Sequence, residues 1–93
     1  MRVKILGKTW HLETQSRRMP ADHDGFCDAP NLPSKTIRIR SGLGEKRQLE
    51  VVLHELLHAA DWHKDETWVE QVAEDVAAIL WKLGYRLTQP PER

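Results

Sequence analysis

Apolar and polar residues change their period halfway along the chain. In the first half they alternate. Val3-Lys4-Ile5-Leu6 and Thr9-Trp10-His11-Leu12 flank Gly7-Lys8, and Thr36-Ile37-Arg38-Ile39-Arg40 runs up to Ser41-Gly42. Short alternating runs beside turn-forming residues predict strands, here a hairpin and a half-exposed strand over 36–40. Residues 16–34 between them are rich in Pro, Asp, Asn, Gly and Ser, which predicts a long loop.

The second half has helical spacing. Leu49, Val52, Leu53, Leu56, Leu57 and Ala60 share one face and predict an amphipathic helix over 45–62. Asp65 suits the N-cap of a second helix. Its apolar stripe is Val69, Val72, Val76, Ile79, Leu80 and Leu83, and Gly84 follows as a stop. About three residues separate the helices, so they are expected to pack antiparallel. Residues 89–93, Gln-Pro-Pro-Glu-Arg, read as a loose end. The expected fold is α+β in one domain spanning 1–93: a small N-terminal β-sheet, a helix, and an antiparallel second helix.

Composition narrows the setting. The 93 residues can bury one modest core, and a domain of this size often gains stability from a bound metal. A single cysteine, Cys27, excludes an internal disulfide framework and points to a reducing compartment. The start, MRVKILGKTW, lacks the apolar run of a signal peptide, and no stretch approaches the roughly 20 apolar residues of a membrane span. The expectation is a soluble, cytoplasmic protein with no membrane partner.

Charge is zero overall but divided. Residues 1–47 hold ten Lys/Arg against five Asp/Glu, and residues 48–93 hold four against nine. Two oppositely charged halves of one domain attract, which accounts for the split. No recognised nucleic-acid motif accompanies the basic half, which argues against a nucleic-acid partner.

The chemistry sits in His54-Glu55-Leu56-Leu57-His58. Histidines four apart lie one turn apart on one helix face, so both imidazoles can reach one ion. A glutamate directly after the first histidine stands beside that ion, where it can take a proton from an activated water. Zinc lowers the pKa of such a water to about 7. Chance would place the pattern in roughly 2% of chains of this composition, taking the motif as stated. Here it falls mid-helix, with Leu56 and Leu57 on the buried side.

A catalytic zinc usually has three protein ligands and one open position. A hairpin turn centred near residue 64 would level His58 with Glu70 and His54 with Glu74. Glu70 is the expected third ligand. Glu74 is expected to accept a hydrogen bond from the outer nitrogen of His54 and so fix its ring. The same geometry admits the two roles exchanged. His63 and Tyr85 are candidate donors to a transition-state oxyanion. Asp61, Asp65 and Glu66 crowd the turn, where helix capping explains them. His11 and His23 read as surface residues, Cys27 as a lone loop thiol, and Trp62, Trp68 and Trp81 as core and hairpin packing.

His54-Glu55-Leu56-Leu57-His58-Ala59, with a glutamate on the next helix, resembles the gluzincin branch of zinc peptidases. Gly25-Phe26-Cys27-Asp28, Lys35–Ile39 and Leu53–Ala59 together look like small bacterial and phage metallopeptidases of the SprT-like and ImmA/IrrE-like kind. The resemblance covers roughly residues 25–83. It implies a minimal zincin-like domain, Zn2+ as cofactor, His54, His58 and Glu70 as ligands, and Glu55 as base. It also implies a strand beside the active-site helix along which a peptide can pair. The group's usual residue at the position of Glu74 is Asp, and its connection to the ligand glutamate is longer than here.

The expected activity is hydrolysis of a peptide bond in a protein or peptide substrate, with residues 36–40 holding that substrate by strand addition. The alternative is a non-catalytic, zinc-stabilised protein-binding module. It would need a fourth ligand, His63 or Asp61, and has no use for Glu55. Substrate identity and oligomeric state are not encoded in these patterns.

Overall fold

The computed structural model describes residues 1–86, so the expected loose end at 89–93 lies outside the described residues. The chain folds as β1 (Arg2–Ile5), β2 (Lys8–Ser16), β3 (Gly25–Cys27), β4 (Thr36–Arg40), α1 (Glu45–Ala60) and α2 (Glu66–Lys82). The class is α+β, with a four-stranded mixed sheet in the order β1-β2-β4-β3. The sheet, α1 and α2 form three successive layers, since α2 packs on α1 and not on the strands.

The hairpin turn falls one residue earlier than its sequence suggests. Ile5 pairs with Lys8, leaving Leu6 and Gly7 as the two loop residues. Both have positive φ, 50° and 80°, as tight hairpin loops of this kind require. Gly7 takes that conformation freely, whereas Leu6 is held in it and is 81% exposed.

The expected loop at 16–34 contains a strand. β3 pairs antiparallel with β4, Gly25 opposite Ile39 and Cys27 opposite Ile37. Three residues are too short for alternation to reveal. Asp28 holds the far end of this connection: its carboxylate accepts from Ser34 Oγ at 2.6 Å and Thr36 N at 2.9 Å.

β4 is therefore not an edge strand. It pairs with β2 on one side and β3 on the other, so its backbone groups are committed. Strand addition along residues 36–40 is closed off, and the free edge on this side of the sheet belongs to β3.

The core lies between the sheet and α1. Trp10, Leu12, Cys27, Ile37, Ile39 and Val51 form it, and Val52, Leu56 and Ala59 pack against it. α1 thus presents Gln48, Val51, Val52, Glu55 and Ala59 to the sheet, at helical spacing. A carboxylate in that stripe carries a desolvation cost that an apolar residue would avoid. Asp65 caps α2, accepting from Trp68 N at 3.1 Å, and Val69, Ala73 and Ala77 are buried. The two alanines allow the helices to approach closely. Trp62 and Trp68, expected in packing, are instead 39% and 43% exposed. No helix of the described residues is long and apolar enough to cross a membrane.

Candidate metal centre and catalytic groove

His54 and His58 project from α1 toward the start of α2. Their Nε2 atoms lie 3.1 Å apart. Glu66, the first residue of α2, reaches back over them: one carboxylate oxygen is 2.9 Å from His54 Nε2 and the other 2.9 Å from His58 Nε2. Among the described residues these three form the one group whose ligand atoms converge in this way, all within 4.8 Å of one another.

Glu66 takes the place expected of Glu70. The hairpin levels assumed that α1 runs on to residue 62. It ends at Ala60, where Asp61 N donates to Leu57 O at 2.9 Å, and residues 61–65 carry the chain straight into α2. Glu70 and Glu74 are exposed and stand outside the converging group. No hydrogen bond links Glu74 to His54. The signal for Glu66 was present in the sequence, one residue past the N-cap, but helix capping offered a sufficient reason for an acidic residue there.

The donor set suits a borderline divalent ion. Two imidazole nitrogens and a carboxylate favour zinc over the harder cations. The two imidazole nitrogens, 3.1 Å apart, stand near the edge, roughly 3.3 Å, of a tetrahedron with bonds near 2.0 Å, and each meets a different oxygen of Glu66, so that one atom from each residue falls within 4.8 Å of the others. A tetrahedral ion held by these three alone would keep one position open, the arrangement found in catalytic rather than closed structural sites. Neither His63 nor Asp61 joins the group to close it.

Glu55 lies beside this centre on the sheet side of α1 and is 8% exposed. Burial, and then the charge of Glu66, push its carboxyl up from 4.5 to about 7. Gly25 on β3 packs directly against it. A Cβ at residue 25 would stand 2.7 Å from Glu55 Oε2 and 2.6 Å from Val51 Cγ1, so any side chain there would displace the carboxylate. Cys27 lies nearby with its thiol pushed up to about 12 by burial, Glu55 and Asp28, and it donates to Asp28 O at 3.4 Å. At neutral pH it stays a protonated core residue and supplies no thiolate.

These groups open into a groove of about 490 Å3, between β3 on one wall and His58, Trp62, Lys64 and Glu66 on the other. A second recess of about 200 Å3 adjoins it and is lined by Asp22, Asp24, Arg47 and Val51. The two share His23, Gly25, His54 and Glu55. His63 and Tyr85, the expected oxyanion donors, line neither and face solvent. His23 lines both.

No protein-family model matches the chain, and neither a curated protein nor a solved structure matches it.

The raised carboxyl makes the metal-free protein pH-sensitive, with a definite sign. Below pH 4.5 Glu55 is protonated whether the chain is folded or not. Between about 4.5 and 7 the unfolded chain loses the proton first, so stability falls as pH rises; above 7 the loss is complete. The shift corresponds to at most about 3 kcal/mol. Metal-free protein is thus expected to melt at a higher temperature at pH 5 than at pH 8, and Glu55→Gln should remove most of that difference. Equal pH dependence in both proteins, followed by circular dichroism, would place the titrating group elsewhere.

Proposed function

We propose that this protein is a zinc-dependent peptidase with His54, His58 and Glu66 as ligands and Glu55 as general base. One observation carries the reading: a two-histidine, one-glutamate group converges beside a buried carboxyl, and all four residues line one open groove. A buried glutamate in a core-facing stripe is costly, and general-base chemistry gives it a use. Burial raises the carboxyl and so its basicity, the direction a general base working near neutral pH needs.

Zinc held by these residues would supply Lewis acidity, polarising the scissile carbonyl and favouring ionisation of water near neutral pH. Glu55 accepts a proton from the attacking water as the oxygen–carbon bond forms. The carbon–nitrogen bond then breaks, and Glu55 returns that proton to the leaving amine nitrogen. Gly25, having no side chain, leaves the Glu55 carboxylate room beside β3. The free edge of β3 offers backbone groups to an extended peptide lying in the groove, in the role first expected of residues 36–40.

The substrate is a protein or peptide, and the setting is the cytoplasm, in keeping with the single buried, protonated thiol. The resemblance to SprT-like and ImmA/IrrE-like metallopeptidases supports the same reaction. A zinc-stabilised binding module is the less favoured reading, since a structural site would call for a fourth protein ligand.

The direct test is digestion of a mixed peptide library by the purified, zinc-loaded protein, with products read by mass spectrometry. Cleavage should vanish on chelation and return with added zinc. A protein that carries stoichiometric zinc and cuts nothing would sink the peptidase reading.

A further inference from the structure

We propose that His23 is a further catalytic residue, donating a hydrogen bond to the carbonyl oxygen as it gains negative charge; this rests on the peptidase reading above. The groove and its adjoining recess meet at four residues, His23, Gly25, His54 and Glu55. Three have parts already: one ligand, one base, and one bare backbone position that leaves room for the base. His23 is the remaining side chain at that junction, and it carries the one kind of group the reaction still lacks, an N–H donor.

His23 lines the groove but stands outside the converging group of His54, His58 and Glu66. Its imidazole makes no hydrogen bond or ion pair with any described residue. Its backbone, by contrast, is fixed on both sides. His23 N donates to Pro20 O at 3.1 Å, and His23 O accepts from Arg40 Nε at 2.8 Å. The Arg40 guanidinium also donates to Pro20 O. On the other side, Asp24 O accepts from Arg40 N at 2.8 Å, and the Asp24 carboxylate pairs with Arg47 at 3.0 Å. One strand residue and one helix residue thus anchor the loop that delivers His23 to the groove. The His23 side chain itself is exposed at the groove, and a donor delivered by an anchored backbone has less to reorganise as charge develops on the carbonyl oxygen.

The role is distinct from that of Glu55. His23 donates a hydrogen bond without giving up its proton, so the proton path from water through Glu55 to the leaving amine is unchanged.

The test compares zinc-loaded wild type with His23→Ala, His23→Phe and His23→Gln on one peptide that the wild type cleaves. Loss of one such donor typically lowers kcat on the order of a hundredfold. The Ala and Phe variants should show that loss in kcat, with KM within about threefold and zinc content and melting temperature unchanged. Gln restores an N–H donor and should recover part of kcat. A phosphinic peptide, which mimics the charged tetrahedral geometry, should bind the Ala variant weaker by a similar factor, while a cleaved product peptide binds both equally. Unchanged kcat, a loss confined to KM, or a loss of zinc in the Ala variant would each overturn the assignment while leaving the peptidase reading intact. If wild type neither cuts peptides nor binds the phosphinic mimic, the peptidase reading fails and this role falls with it.

Discussion

Glu55→Gln should leave the protein folded and zinc-loaded and lower the rate of peptide hydrolysis by roughly 10²- to 10⁴-fold, the range a positioned general base contributes. The substitution keeps shape and volume and removes only basicity. It leaves the converging group of His54, His58 and Glu66 intact, because Glu55 is not a member of it. It also removes the penalty for burying a charge between α1 and β3, so metal-free Glu55→Gln should be the more stable protein at pH 8. That opposite movement of stability and activity separates a lost base from a damaged fold. The measurements are zinc content, melting temperature and kcat on one preparation. A zinc-loaded Gln variant cutting at the wild-type rate would remove Glu55 from the mechanism, and a variant that loses its zinc would mean that Glu55 holds the metal.

The sequence exposed some parts of this structure and hid others for identifiable reasons. The helices were legible because apolar residues such as Val52 and Leu56 on α1, and Val69 and Val72 on α2, recur at helical spacing over several turns. β2 and β4 were legible by alternation, yet their pairing, and β3 on the other side of β4, were not. The place of β4 between β2 and β3 depends on pairing between segments distant in sequence, and β3 is three residues long. The hidden strand brings Gly25 against Glu55, and the loop before it brings His23 to the groove. In sequence those residues read only as loop and surface. His54 and His58 were legible because helix geometry alone sets their spacing. Glu66 was not, because its position depends on where α1 stops and how residues 61–65 turn, and a shift of one or two residues in a hairpin changes which side chain arrives.

That dependence makes Glu66 and Glu70 a decisive pair. Both are exposed glutamates on α2, four residues apart, with equal charge and equal helix propensity. Only Glu66 places its carboxylate 2.9 Å from each histidine. Structural zinc sites bind with about 10–16 kcal/mol shared over four ligands, so one ligand is worth roughly 3 kcal/mol, or about a hundredfold in affinity. Glu66→Ala should therefore weaken zinc binding by about that factor and abolish cleavage at limiting zinc, whereas Glu70→Ala should change neither by more than a few fold. Part of the Glu66 effect in metal-free protein has the other sign. Burial, and then the Glu66 charge, raise the Glu55 carboxyl, so removing Glu66 should lower that group only part of the way toward 4.5. Competition titration against a chromogenic chelator, run on both variants at one pH, reads the affinities directly. The reverse result, zinc lost with Glu70 and kept without Glu66, would mean that the hairpin in solution is set about one helical turn further along α2 and that the ligand levels follow the longer α1.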